Sequence, residues 1–354
     1  MIISFNSISV LQLEPDTSSV HVNHAIQFCK DWLNGKQHFV FHTSGSTGEP
    51  KKIELNRAQL EASANATIQA LQLTSNEKIF ICVNTQLIAG TMMLVRGMML
   101  NCEICLVEPT SDPLKYLEEN HQMTFASFVP MQLSCLLKDD LIAKKKLNKF
   151  KNILIGGSAL DIGLEKKLSQ LSCAVYHTYG MTETVSHIAL KLIGKENNFV
   201  VLPGIEIKKD ERDCLCIKGK VTNDEWLFTN DLVKLIDSTH FNLLGRIDDI
   251  VNSGGVKIFP LKIENALYHA LSILNLPVKE LFVSSQKDEL LGEKLIAVFC
   301  CQKFSKENEM KLKSELQKVL SKYEVPREFY YFSSFEKTES GKIDKLKTLE
   351  GFKI

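Results

Sequence analysis

Between residues 79 and 176 short apolar runs alternate with helical segments, and this alternation constrains the fold more than any other feature of the chain. Ile79 to Val83, Ile104 to Val107, Phe125 to Val129, Ile153 to Ile155 and Ala174 to Tyr176 read as strands. Gly90 to Leu100 and Leu160 to Leu171 read as helices. Strands separated by helices need crossover connections, so the pattern predicts an α/β fold with a mostly parallel sheet. Beyond Val200 the texture changes to short β-like pieces with turn residues, ending near Gly245. A new set then begins, with helices over 261–274 and 307–321 and strands over 281–285, 294–301 and 328–332, enough for a small α+β unit. The expected organisation is a large N-terminal α/β domain over 1–247 and a small α+β C-terminal domain over 248–354.

Composition narrows the class. The 354 residues are 44% apolar and carry 42 basic and 42 acidic side chains, which argues against a nucleic-acid partner. No apolar run reaches the length of a membrane span, and Met1-Ile2-Ile3-Ser4-Phe5 lacks the charged start and cleavage site of a secretory signal. A cytoplasmic location is the expectation. Ten cysteines without a regular framework suit a reducing compartment. Cys102 and Cys105 form a CxxC, but they bracket an apparent strand whose i and i+3 positions face opposite sides, and no second pair sits at zinc-ribbon spacing. Buried thiols are the reading.

Residues 43 to 51, Thr-Ser-Gly-Ser-Thr-Gly-Glu-Pro-Lys, have the make-up of a loop that wraps a polyphosphate. Gly45 and Gly48 let backbone N–H groups turn toward an anion, Thr43, Ser44, Ser46 and Thr47 add hydroxyl donors, and Lys51 adds charge. An apolar strand (Phe39-Val40-Phe41) precedes the loop, and a helical register through Leu55, Leu60, Ala64, Ile68 and Leu71 follows it. It is not a Walker A loop: Pro50 stands where that motif needs glycine, and Lys52 follows Lys51. Taken alone, such a loop is more often a plain turn.

Four further segments carry polar chemistry. Tyr176 to Thr184 joins Tyr179, Gly180, Thr182 and Glu183, a set that can stack a base, approach a phosphate and hold Mg²⁺. Thr229-Asn230-Asp231 offers a carboxylate suited to ribose hydroxyls. Gly245-Arg246-Ile247-Asp248-Asp249 leads into Ser253-Gly254-Gly255-Val256-Lys257, and Ser340-Gly341-Lys342-Ile343-Asp344 lies near the C-terminus. Each has an ordinary structural reading by itself: a core aromatic, a turn aspartate, a surface ion pair, a solvated lysine.

Together and in this order, from about Phe39 to the end of the chain, these motifs resemble the acyl-activating, adenylate-forming superfamily of acyl-CoA and aryl-CoA ligases, peptide-synthetase adenylation domains and luciferases. The resemblance implies that residues 43–51 hold the β- and γ-phosphates of ATP and that Gly156-Gly157-Ser158 lies beside the adenine and acyl pocket. It implies that Tyr179 packs on adenine next to Gly180, that Thr182 contacts the α-phosphate and that Glu183 binds Mg²⁺. Asp231, assisted by Arg246, would take the ribose hydroxyls. Asp248 resembles the hinge between an adenylation domain and a mobile C-terminal domain, and Lys342 the catalytic lysine of the latter. Gly254, Gly255 and Lys257 would face CoA after the hinge turns. The substrates so implied are a small carboxylic acid, ATP and CoA.

Some features depart from that pattern. Only about forty residues precede the phosphate loop, so an N-terminal subdomain is expected to be truncated relative to the family, and Asn230 stands where glycine is common. Within the superfamily, the short chain and the segment Gln86 to Arg96 resemble the compact o-succinylbenzoate:CoA ligases of menaquinone biosynthesis. Arg96 interrupts an otherwise apolar helix and reads either as a snorkelling surface cation or as the counter-ion of an acid's second carboxylate. His187 is similarly a pocket wall or a structural histidine. Three other functions fit the motifs less fully: another aryl- or acyl-CoA ligase, loading of a carrier-protein pantetheine, and nucleotide binding without catalysis.

Overall fold

Consecutive residues of the short central strands face two different cores, and this decides the architecture. In the computed structural model, which describes residues 2–14, 19–43, 51–118, 121–138, 141–158, 160–338 and 343–351, β1 (Ile2–Phe5) and α1 (Val20–Leu33) come first. The hairpin β2 (His38–Thr43) and β3 (Lys51–Asn56) follows, then α2 (Arg57–Leu71), β4 (Lys78–Ile81), α3 (Ile88–Leu100) and β5 (Glu103–Val107). β6 (Phe125–Phe128), α4 (Pro130–Leu136), α5 (Leu141–Leu147), β7 (Asn152–Ile155), α6 (Ile162–Leu168) and β8 (Ala174–Gly180) complete the alternating part. Ile79, Ile81, Ile104, Leu106 and Phe125 pack with Leu60, Met92 and other residues of α1, α2 and α3. Phe80, Cys105, Val107, Ala126, Phe128, Ile153 and Ile155 pack on the opposite face with Leu133, Leu147 and Leu164 of α4, α5 and α6. A sheet buried on both faces requires such uninterrupted apolar strands.

Five neighbouring strands, in the order β5-β4-β6-β7-β8, are parallel. The expected parallel sheet is thus real but confined to them. From β8 onward the same twelve-stranded sheet continues antiparallel through β9 (His187–Leu192), β10 (Phe199–Val201), β14 (His240–Arg246), β13 (Leu227–Leu235), β12 (Cys214–Gly219) and β11 (Ile205–Lys209). Antiparallel neighbours need only tight turns, which is why the turn-rich texture beyond Val200 belongs to the same sheet rather than to a separate layer.

After Arg246 a short 3₁₀ turn at Ile247–Asp249 leads to a second sheet of β15 (Val251–Ser253), β16 (Val256–Ile258), β17 (Leu281–Asp288), β18 (Gly292–Cys300) and β19 (Glu328–Phe332). α7 (Pro260–Ile273) and α8 (Lys306–Gln317) cover one face, with Ile263, Leu267, Leu312 and Leu316 in its core, and α9 (Lys345–Glu350) adds Leu349 to the other.

Two local readings need correction. The segment 44–50 joins two strands and not a strand to a helix, because Lys51–Asn56 pairs antiparallel with His38–Thr43. Leu55 reaches the core from this strand, and Asn56 then caps α2 by accepting the Gln59 N–H at 2.9 Å while Gln59 reaches back to the Asn56 N–H. The helical register read from Leu55 therefore started too early. The strand expected to stop at Tyr176 also continues to Gly180, so Tyr179 is a strand residue.

Candidate active site

The carboxyl ends of parallel strands leave loops free to receive a ligand. Gly156, Gly157 and Ser158 follow the end of β7, and His177 of β8 stands opposite Ile155. Burial, aided by Lys191, lowers the His177 pKa to about 4, so its ring is neutral near pH 7.

β8 then ends in a turn that presents Thr182 and Glu183. Gly180 lies flush on the Ser186 carbonyl and the His187 backbone, where a Cβ would overlap both. Thr182–Thr184 make a single 3₁₀ turn, closed by the buried Thr184 hydroxyl, which accepts the Met181 N–H at 3.0 Å and lies 2.8 Å from the Ser186 carbonyl. Glu183 is half-buried, and no described residue pairs with its carboxylate. One carboxylate beside a hydroxyl is a hard-oxygen donor set, and the described residues hold no group of three acidic, histidine or cysteine ligands. Mg²⁺, which takes one or two carboxylates together with substrate phosphates and water, fits this set; an all-protein metal cage does not.

Asp231 and Arg246 are direct cross-strand partners on β13 and β14. The Tyr179 hydroxyl donates to Asp231 Oδ2 at 2.6 Å, and Arg246 Nη1 donates to Asp231 Oδ1 at 3.3 Å. The Tyr179 ring is enclosed by Phe199 and Phe241, and burial with the neighbouring Asp231 charge pushes its phenol pKa well up. Arg246 Nη2 also donates to Asp248 Oδ2 at 2.7 Å, and Asn230 Nδ2 lies 3.2 Å from both Asp248 oxygens. The ribose candidate and the hinge candidate thus share one guanidinium.

Arg96 does not snorkel to solvent. It is 1% exposed on α3, and burial alone lowers its pKa from 12.5 to about 9. Nη2 donates to Thr67 Oγ1 at 3.0 Å, Nη1 lies 3.9 Å from the Met93 sulfur, and Nε has no partner among the described residues. Thr67 Oγ1 is also 2.9 Å from His187 Nε2 and donates to the Ser63 carbonyl at 3.2 Å. With that hydrogen committed to Ser63, the oxygen accepts from both Arg96 and His187, which makes His187 an Nε2–H tautomer. Burial, and then the Arg96 charge, keep His187 neutral by pushing its pKa far down. The two acyl-site candidates therefore converge on Thr67, which sequence reasoning missed. Its signal was available: Ser63 and Thr67 are polar residues four apart on the buried stripe of α2.

Gly254 and Gly255 form the two-residue turn between β15 and β16, with φ of +57° and +80°. A hairpin turn with both φ values positive needs residues of this kind, so their presence has a backbone cause independent of any ligand. Lys257 is exposed on β16. Cys102 and Cys105 are buried free thiols whose pKa values burial raises to about 12 and about 11. Thr43 and Lys51 face each other across the base of the β2–β3 hairpin. Ser44, Gly45, Ser46, Thr47, Gly48 and Lys342 lie outside the described residues.

Residues 14–215, more than half of the chain, match the AMP-binding enzyme family. The chain belongs to that family. It is thereby an enzyme of the AMP-forming acyl-CoA ligase class. Among solved structures, an acyl-CoA synthetase (AMP-forming)/AMP-acid ligase II-like protein from Dyadobacter fermentans is 38% identical over 99% of both chains, with a TM-score of 0.67. A protein named 2-succinylbenzoate–CoA ligase from Oceanobacillus iheyensis is 26% identical over 332 residues, covering 86% of this chain and 68% of that protein. O-succinylbenzoate coenzyme A synthetase from Bacillus subtilis, solved with ATP and magnesium ion, is 23% identical, covers 87% of this chain and 69% of its own, and shares the fold at a TM-score of 0.72. No described helix of this AMP-binding enzyme is long and apolar enough to cross a membrane.

Proposed function

We propose that this AMP-binding enzyme activates o-succinylbenzoate as its acyl-adenylate and transfers the acyl group to CoA. The observation that carries the choice of acid is the buried Arg96 guanidinium, which has no carboxylate partner among the described residues and an unsatisfied Nε. A buried cation of this kind calls for an anion, and a dicarboxylic aryl acid brings a second one. Relatives named 2-succinylbenzoate–CoA ligase support the same acid.

In the adenylation step a carboxylate oxygen attacks the α-phosphate and displaces pyrophosphate, and two anions must approach each other. Lys342 and the donors of residues 43–51 lower that repulsion, with Thr182 directed at the α-phosphate. Glu183 and the phosphates would hold Mg²⁺, which would supply further charge neutralisation when bound. Asp231 receives the ribose hydroxyls while Tyr179 and Arg246 fix its carboxylate. Gly156, Gly157 and Ser158 border adenine and the acyl group. AMP is a good leaving group, so a thiol attacks the mixed anhydride directly, without a covalent enzyme intermediate. By the family resemblance Lys342 serves the first step alone, so the unit from residue 248 onward would turn about Asp248 and bring Gly254, Gly255 and Lys257 to the pantetheine arm.

Acid-dependent isotope exchange between pyrophosphate and ATP, run over a panel of aromatic and aliphatic acids, tests the proposal. O-succinylbenzoate should support the fastest exchange, and CoA should then yield the thioester. Exchange with a different acid alone would overturn the choice of substrate, and thioester formation only on a carrier-protein pantetheine would overturn the acceptor.

A further inference from the structure

Val185 has φ +67° and ψ −56°, a conformation that β-branched residues almost never take. The Ser186 N–H donates to the Thr184 carbonyl at 2.7 Å, so residues 184–186 form a γ-turn of the strained, positive-φ kind. The Val185 side chain is fully buried in the main core beside Ile188 and Tyr179. Its own N–H donates to the Thr182 carbonyl at 2.9 Å, which couples the turn to the 3₁₀ segment carrying Thr182 and Glu183. Rotation of Val185 into an ordinary negative-φ conformation would break the 184–186 bond and swing that segment. Backbone strain persists only where the surroundings over-determine it, and here the buried isopropyl group, the Thr184 hydroxyl and the close seat of Gly180 do so.

We infer that Val185 is a positioning residue, whose buried side chain holds the strained turn that aims the Glu183 carboxylate and Thr182 hydroxyl at the nucleotide phosphates. The inference rests on the reading of Glu183 as the magnesium carboxylate. A side chain at this position serves the site through conformation, without touching substrate.

Calorimetric titration with ATP, in Mg²⁺ and in EDTA, separates this role from core packing. Val185→Ala removes most of the anchor, and Thr184→Val removes the hydroxyl that closes the turn. Each should cut the Mg²⁺-dependent gain in ATP affinity by about fivefold or more, leave affinity in EDTA within about twofold, and lower the exchange rate in parallel. Val185→Ile keeps a β-branched anchor and should retain most of the Mg²⁺-dependent gain. Glu183→Gln should lose it. Folded Val185→Ala or Thr184→Val protein with the full gain, beside a Glu183→Gln protein that has lost it, would reduce Val185 to a core residue. If Val185→Ala does not fold, Thr184→Val decides. A full gain in Glu183→Gln would instead remove the magnesium role of Glu183, and the inference with it.

Discussion

Arg96→Met should make the protein more stable and less able to use its acid. The fall of the Arg96 pKa from 12.5 to about 9 corresponds to a cost of ~5 kcal/mol for keeping the charge in the core, at ~1.4 kcal/mol per tenfold change in proton affinity. Against this stands one charged hydrogen bond, to Thr67, with a net value of about 1.5–3 kcal/mol. Thr67 is not orphaned by the change, because it keeps His187 and the Ser63 carbonyl. Methionine fills most of the volume, so the balance is a gain of about 2–3 kcal/mol, in line with replacement of buried charges by apolar side chains. Because the folded-state pKa lies below the unfolded one, the cost is fully present below about 9 and is relieved only as pH rises toward 12.5. The gain should therefore be the same at pH 6 and pH 8. Urea unfolding at both values checks it, read from the midpoint at unchanged m. The same variant should lose about 2–5 kcal/mol of transition-state stabilisation with o-succinylbenzoate, as for one partner of a buried charge pair, and little with monocarboxylic benzoates. A variant less stable than the parent would refute the uncompensated-charge argument, and unchanged kcat/KM with o-succinylbenzoate would remove Arg96 from the acid site.

Stability should decline as pH falls from about 6.5 toward 4, because His177 and His187 are held neutral in the fold and must gain protons on unfolding; His177 alone contributes at most about 3 kcal/mol. His177→Gln should flatten that part of a denaturation-versus-pH curve, and an unchanged slope would place the titration elsewhere. Lys342→Ala should abolish adenylation yet spare thioester formation from supplied acyl-adenylate, whereas Asp248→Pro should do the reverse by restricting the backbone at the proposed hinge; equal loss of both half-reactions in both variants would rule out that division. Gly180→Ala should lower the pyrophosphate exchange rate by about 100-fold, since a Cβ there displaces the Ser186–His187 backbone and with it the Glu183 turn. Exchange at the parental rate would show that the turn tolerates the shift.

The parallel strands were legible because each is a short apolar run, and their boundaries and those of α3 and α6 came out within a few residues, whereas α4 and α5 were not read. Val283 and Val298 in the second sheet were found for the same reason. Less legible was the hairpin around residues 44–50, since Leu55 satisfies a strand facing the core and a helical repeat equally well until Asn56 is recognised as a cap. Glu183, Asp231 and Arg246 could be named from their motifs, but the pairing of Asp231 with Arg246 depends on strand register, which no local pattern encodes. The meeting of Arg96 and His187 on Thr67 joins residues 120 positions apart and is purely tertiary. Val185 left no trace in the sequence, because valine is the residue least expected where φ is positive.

Arg246 grips Asp231 with one arm and Asp248 with the other. Any hydroxyl pair that settles on Asp231 draws on a carboxylate already engaged by that guanidinium, and so alters its hold on the segment leading into the second sheet. Linkage makes the effect symmetrical: whatever free energy nucleotide occupancy contributes to loosening or tightening Asp248, a change in the posture of that segment returns to nucleotide affinity with the same sign and size. A tether on Asp248, such as a crosslink across Ile247–Asp249, should thus register as a changed nucleotide dissociation constant with no change made to any group proposed to touch the nucleotide.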